Sequence, residues 1–286
     1  DQVGDALTRA QRRMTEQFYL PFLPWWVPTP GHLDFHDAVR ELDSVVYKVI
    51  GERRDNGGEH HDLLDMLLTA QDADTGAKMD DKQVRDEVLT LMLAGHETTA
   101  NALTWTWYLL SKNPGPARTM REELDRVLGG RLPTVADLPS LIYTRMVLDE
   151  AMRLYPPAYA ISRRALEDDE IQGYHIPANA TVLISPYVTH HLPAFWDNPE
   201  GFDPERFTPE HEKTRHPYAY FPFGGGPRLC IGNNFALMEG VLILATIGQR
   251  YRLDLVPGHP VVTEPLITLR ARYGMRMTLH PAADGR

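Results

Sequence analysis

The chain has a single cysteine, Cys230, among 286 residues. No intrachain disulfide can form, and nothing demands an oxidising compartment. Positive charge is also scarce: the formal net charge is −10, which argues against general nucleic-acid binding. No charge-free apolar run reaches the ~18 residues of a membrane span. The nearest, Phe18-Tyr-Leu-Pro-Phe-Leu-Pro-Trp-Trp-Val-Pro28, is short and broken by prolines, and reads as a loop packed on its own domain. Internal repeats, low-complexity tracts and a strong interdomain linker are all missing. A zinc site fails at its best candidate. His96-Glu97 opens like H-E-x-x-H, but position 100 is Ala, so two ligands cannot share that helix face. The pairs His60-His61 and His190-His191 lack a third ligand at usable spacing.

What remains is ordinary globular material, 43% hydrophobic, enough for a sizeable core. Apolar residues at three- and four-residue spacing predict helices over Asp1–Gln17, Leu33–Arg54, Asp62–Thr69, Asp80–Ser111, Ala117–Leu128 and Leu141–Leu154. Lys112-Asn-Pro-Gly-Pro116 stops the longest of them. From Ala158 the texture changes to short β-like runs such as Thr181-Val-Leu-Ile-Ser185. A proline-rich meander from Pro193 to Pro222 follows, then a helix over Ile231–Arg250 and a hairpin around Ile267 to Leu279. The expected fold is mainly α with small β regions (α+β), one mixed domain over residues 1–286.

Cys230 sits in Phe223-Gly-Gly-Gly-Pro-Arg-Leu-Cys-Ile-Gly232. Glycines let backbone pass close to a flat ligand where side chains would collide. Pro227 stiffens the loop, and Arg228 places a permanent cation two residues before the sulfur. A helix starting just beyond Cys230 would aim unpaired N–H groups and its positive dipole end at the sulfur. All of this favours the thiolate, the form that ligates a metal.

Inside the longest helix lies Leu91-Met-Leu-Ala-Gly-His-Glu-Thr-Thr99. A mid-helix glycine costs about 1 kcal/mol relative to alanine, so Gly95 invites a reason, such as the approach of something flat. Thr98 can return its hydroxyl to the Ala94 carbonyl and loosen the helix. The result would be a groove with a hydroxyl donor beside it and the Glu97 carboxylate one residue away. An ordinary helix, with Thr98 facing core and Glu97 facing solvent, is the plain alternative. Glu150 and Arg153 stand at i, i+3 and can pair. Pro204-Glu-Arg-Phe207 follows in the meander, and Arg163 in Ile161-Ser-Arg-Arg-Ala165.

These segments together resemble the cytochrome P450 (haem-thiolate monooxygenase) family. F-x-x-G-x-R-x-C-x-G is its haem-ligating loop and A-G-x-[DE]-T its oxygen-activation motif. E-x-x-R and P-E-R-F also occur there in this order, and the resemblance spans at least Met92 to Leu279. It implies haem b (iron protoporphyrin IX) with iron on Cys230. Ala94, Gly95, Arg163, Phe223, Gly226, Arg228 and Gly232 would contact the cofactor, Arg163 and Arg228 as cations for its two propionates. Thr98 would hydrogen-bond dioxygen, with Glu97 relaying protons. Glu150, Arg153 and Arg206 would form a buried network holding the meander, serving folding and haem retention. By family position Leu91, Ala94, Thr98, Ala158, Tyr159, Ala160, Ile161 and Ile267 line the substrate pocket, which suits a small lipophilic substrate.

The implied protein is of the soluble bacterial type, cytoplasmic, inserting one atom of O₂ into its substrate. Without a flavin or iron–sulfur motif, electrons would come from a ferredoxin- or flavodoxin-type donor with its reductase. That donor would dock where Arg228, Arg118, Arg121 and Arg126 gather. A peroxygenase and a non-catalytic fragment are the alternatives. The family's early helices, its haem-contacting tryptophan and its substrate-recognition loop have no counterpart here. The chain is therefore expected to be the C-terminal part of a longer protein, with little coupled turnover alone.

Overall fold

The computed structural model describes residues 2–19, 24, 26–56 and 60–282. Most of the Phe18–Pro28 loop expected from sequence lies outside them. Two compact units emerge, residues 1–97 and 98–286.

In the first unit α1 (Gln2–Tyr19) packs on α2 (Pro30–Asn56), and α3 (Leu63–Thr69) follows. Ala38, Leu42, Val46 and Ile50, at strict four-residue spacing, give α2 its buried stripe, and Ala6, Leu7 and Ala10 of α1 share the same core. Asp62 is not part of α3. Its carboxylate caps the helix by accepting from the Asp65 N–H, which satisfies one of the orphan donors of the first turn. α4 (Asp81–Lys112) begins here, with Val84 and Leu89 in the same core.

The second unit takes the rest of α4, then α5 (Pro114–Leu128), α6 (Ile142–Leu154) and α9 (Asn233–Gly248) around one core. Trp107, Leu110, Met120, Leu124, Val147, Leu148, Val241 and Leu244 are buried together there. Pro114 and Pro116 end α4 as expected and also occupy the first turn of α5, where a missing N–H costs nothing. α6 is buried from Met146 to Leu154. α9 approaches it closely at Gly240, where a Cβ would lie 2.7 Å from Leu148 Cδ2.

The strands form four antiparallel pairs. β1 (Ile161–Arg164) pairs with β4 (Thr181–Ile184), and β2 (Asp169–Ile171) with β3 (Tyr174–Ile176). β5 (Tyr251–Leu255) pairs with β8 (Met277–Pro281), and β6 (Thr263–Pro265) with β7 (Leu269–Ala271). The hairpin expected around Ile267 to Leu279 is therefore not one. Its two halves, β7 and β8, pair with partners earlier in the chain, because Leu269 is also claimed by Trp105 Nε1 and by the Pro157 carbonyl. α7 (Pro186–His190) and α8 (Pro209–Thr214) flank a 3₁₀ turn at Pro204–Phe207 in the meander. The architecture is mainly α with small sheets, as the sequence implies.

Candidate functional site

The cysteine loop is built by its own backbone. Gly224 donates to the Phe221 carbonyl at 3.0 Å, Leu229 to Gly226 at 3.0 Å, and Cys230 to Phe223 at 3.0 Å. Two positions need glycine: Gly224 and Gly226 have φ of +73° and +66°, a region costly for other residues. Gly225 has a different reason, since a Cβ there would lie 3.0 Å from the Tyr218 ring. The helix begins at Asn233 with Gly232 as its N-cap, two residues later than expected from sequence. Cys230 thus stands just before the first turn of α9, its thiol free and exposed. Leu229, Ile231 and Phe235 around it are 49%, 93% and 64% exposed. An exposed sulfur ringed by exposed apolar side chains suits a large, flat, apolar ligand that takes a bond from sulfur.

Two cations are available nearby in chain and fold. Arg228 is exposed and has neither hydrogen bond nor ion pair among the described residues. Ile161 of β1 reaches the loop, its Cδ1 3.9 Å from where a Gly224 Cβ would stand. Arg163 shares that strand face by the two-residue period; it is exposed and bonded only to the neighbouring Ser162 carbonyl. Arg164 points the other way and is spent on Asn179 Oδ1 at 2.6 Å. The structure therefore sets Arg163, which the resemblance singles out, apart from its neighbour Arg164.

On α4, Ala94 and Gly95 are exposed and an added Cβ at Gly95 would meet nothing within 4 Å. Leu91, Glu97 and Thr98 are half-buried. The Oε2 of Glu97 is buried without a hydrogen-bond partner among the described residues, an uncommon state for a carboxylate oxygen. Ala158, Tyr159, Ala160 and Ile161 form a half-buried stretch before and into β1. The Tyr159 hydroxyl donates to the Leu266 carbonyl at 2.9 Å, which brings this stretch beside Ile267, the other expected wall. Tyr159 thus presents ring, with its hydroxyl committed.

The Glu150–Arg153–Arg206 trio meets at the core of the second unit. Arg153 donates from Nε and Nη2 to both carboxylate oxygens of Glu150, at 2.6 and 2.8 Å. Its remaining donors hold the carbonyls of His190, Pro199 and Gly201, and Glu150 also accepts from the Asp203 N–H. Arg206 Nε lies 3.4 Å from Glu150 and its Nη2 bonds the Asn198 carbonyl.

Sequence reading missed the aromatic side of this network. Arg215 stacks on Trp196, Phe207 and Tyr220 at 4.9, 4.4 and 5.9 Å and donates to the Arg206 carbonyl. It also missed His190, whose pKa burial pushes down to about 3. No periodic or motif signal marks either residue. The basic patch expected on α5 is only partly available: Arg118 and Arg126 are exposed, while Arg121 bonds the Tyr251 carbonyl. In the first unit, a recess of about 480 Å³ lined by Arg53, Asp62 and Asp65 has its charges paired with one another.

The family model that matches the chain, over residues 2–272, is Cytochrome P450. The chain belongs to the cytochrome P450 family. The match starts well before Met92, where the motif resemblance begins. Among P450 relatives, cyclooctatin synthase of Streptomyces melanosporofaciens is 43% identical over 86% of this chain and 54% of its own length. Pentalenene oxygenase of Streptomyces avermitilis is 34% identical over 99% of this chain and 63% of its own. The crystal structure of the cytochrome P450DA haem domain superposes with a TM-score of 0.87 at 33% identity, over 98% of this chain and 61% of that one. The chain thus spans little more than half the length of the curated relatives it matches.

A P450 carries haem, and the residues present fit one. The donor set is a lone exposed thiol at a helix start, with exposed apolar neighbours for a porphyrin face. Arg163 and Arg228 are free enough to meet carboxylates. Among the described residues, no group of three or more His, Cys, Asp or Glu could hold a metal by itself; the free thiol of Cys230 would serve an iron whose other ligands the cofactor brings. No helix of the described residues is long and apolar enough to cross a membrane.

Proposed function

We propose that this chain is a haem-thiolate monooxygenase domain of the cytochrome P450 family, read as one incomplete domain over residues 1–286. It would insert one oxygen atom of O₂ into a lipophilic organic substrate, in the cytoplasm. The observation that carries the reading is the exposed Cys230 sulfur at the start of α9, closed into position by the Cys230–Phe223 hydrogen bond. Bound haem b supplies the chemistry of O₂ activation, promoted by electron donation from the thiolate.

The chain's own residues do the rest. The Cys230 N–H bond to the Phe223 carbonyl and the start of α9 at Asn233 fix where the sulfur is presented. Arg163 and Arg228 hold the two propionates. Glu97, one of whose oxygens is buried without a hydrogen-bond partner among the described residues, would relay protons, and Thr98 would present a hydroxyl that positions the proton donor. By family position Leu91 and Ala94, and in the second unit Ala158, Tyr159, Ala160, Ile161 and Ile267, would offer the substrate mainly aliphatic surface. Two relatives are named cyclooctat-9-en-7-ol 5-monooxygenase and pentalenene oxygenase, names that speak of an unsaturated alcohol and an alkene, which supports a lipophilic substrate here. Electrons would come from a ferredoxin- or flavodoxin-type donor with its reductase, steered to exposed cations such as Arg228, Arg118 and Arg126.

The test is a reconstitution of the haem-loaded protein at its natural length with a surrogate donor system. Oxygen-dependent product from an alkene or terpenoid alcohol panel is the expected outcome. Product that appears only with added peroxide, at rates indifferent to the electron donor, would contradict it.

A further inference from the structure

The Phe221 N–H, at the entry of the cysteine loop, does not go to another backbone group. It donates to Nε2 of His190 at 3.0 Å. His190, the last residue of α7, is fully buried, and no step of the proposed chemistry uses it. We propose that His190 is a positioning residue for the Cys230 sulfur, a neutral imidazole acceptor that fixes where the Phe221–Cys230 loop leaves the meander. The inference rests on the haem-thiolate reading of Cys230.

The hydrogen bonds run in sequence from core to sulfur. Arg153 donates to the His190 carbonyl at 2.8 Å, so the buried network fixes the backbone of His190. His190 Nε2 takes the Phe221 N–H. The Phe221 carbonyl accepts from Gly224, which sets the left-handed turn, and the Phe223 carbonyl accepts from Cys230. The adjoining Tyr220 is held from α6, its hydroxyl 3.0 Å from both the Asp149 carbonyl and Asp149 Oδ1. Its ring and that of Phe221 lie 5.3 and 5.4 Å from the imidazole. One residue before the loop is thus gripped by α6, and the next by α7.

The chemistry singles out imidazole. An Nε2 that accepts an N–H carries no proton, so the ring proton is on Nδ1. Nδ1 makes no well-formed hydrogen bond among the described residues, although the nearby backbone of Arg153 and Met152 offsets part of the burial. A leucine would fill this volume equally well if packing were the whole purpose, and would leave the Phe221 N–H buried without a partner. Burial pushes the ring's pKa down to about 3, so at neutral pH it is neutral and hence an acceptor.

The experiment compares His190→Leu, His190→Asn and His190→Gln with Cys230→Ser in the protein at its natural length. Only Gln extends an acceptor oxygen to the place of Nε2; Asn is polar but too short, and Leu has none. Two quantities are read: amide hydrogen exchange through residues 221–230 before haem loading, and the ferrous–CO Soret spectrum after it. His190→Leu and His190→Asn should speed exchange of the loop amides by about tenfold or more. They should also move part of the red-shifted Soret band to shorter wavelength, while His190→Gln keeps both near wild type. If Leu fails to fold, the Asn–Gln pair decides. Loop exchange and spectrum unchanged in Asn or Leu, or an equal loss in Gln, would overturn the proposal. A red-shifted band surviving in Cys230→Ser would instead overturn the haem-thiolate reading, and loop exchange would still decide the part of His190.

Discussion

Arg153 grips both carboxylate oxygens of Glu150, at 2.6 and 2.8 Å, with both side chains fully buried. A surface i, i+3 pair contributes little, but this one also ties the last carbonyl of α7 and two meander carbonyls to α6. Its role is organisation, and removing either partner strands the other.

Glu150→Ala should therefore destabilise the fold by ~3–5 kcal/mol, the cost of an uncompensated buried guanidinium. Arg206→Ala should cost less, since its Nε is 3.4 Å from Glu150 and its side chain is partly exposed. Both should lose haem without a change in product selectivity. Urea melts and haem content check this; stable, haem-replete Glu150→Ala protein is the contrary result.

The first helices were legible because α2 shows its burial in residue spacing, and the loop around Cys230 was legible because glycine, proline and arginine have local meanings there. Three things were not. β7 and β8 found partners outside their own hairpin, which depends on Trp105 and Pro157, far away in sequence. Residue type and spacing alone do not separate Arg163, which the resemblance picks out, from Arg164; strand β1 assigns them to opposite faces. His190 and Arg215 act through long-range contacts to Phe221 and to three aromatic rings, and neither leaves a periodic mark.

The separation of the two arginines gives a test. Arg163→Ala should raise the rate of haem loss to an acceptor protein several-fold, because one propionate loses its guanidinium. Arg164→Ala, which breaks only the bond to Asn179, should leave that rate near wild type. Equal effects would deny Arg163 its role.

Thr98→Ala should bind haem normally yet waste reducing equivalents as peroxide, since the hydroxyl that positions the proton donor is gone. Product formed per NAD(P)H consumed is the measurement. An unchanged ratio would remove Thr98 from the proton path.

His190 also sets a pH dependence. Its folded pKa is lowered to about 3 by burial, against ~6.5 when unfolded. Between those values the unfolded chain binds the extra proton, so stability falls as pH drops below about 6.5. The slope from this residue is at most about 1.4 kcal/mol per pH unit. His190→Gln should flatten the fall in urea midpoint between neutral pH and pH ~5. An identical fall in both proteins would show that the imidazole is not held neutral.

The ligation of iron by Cys230 is tested most directly by the ferrous–CO spectrum of the haem-loaded protein beside its Cys230→Ser variant. The wild-type protein should show the red-shifted Soret band of a thiolate-ligated haem, and the variant should lack it, because the chain has no second cysteine. A variant that keeps the band, or a haem-loaded wild type that never shows it, would contradict the account.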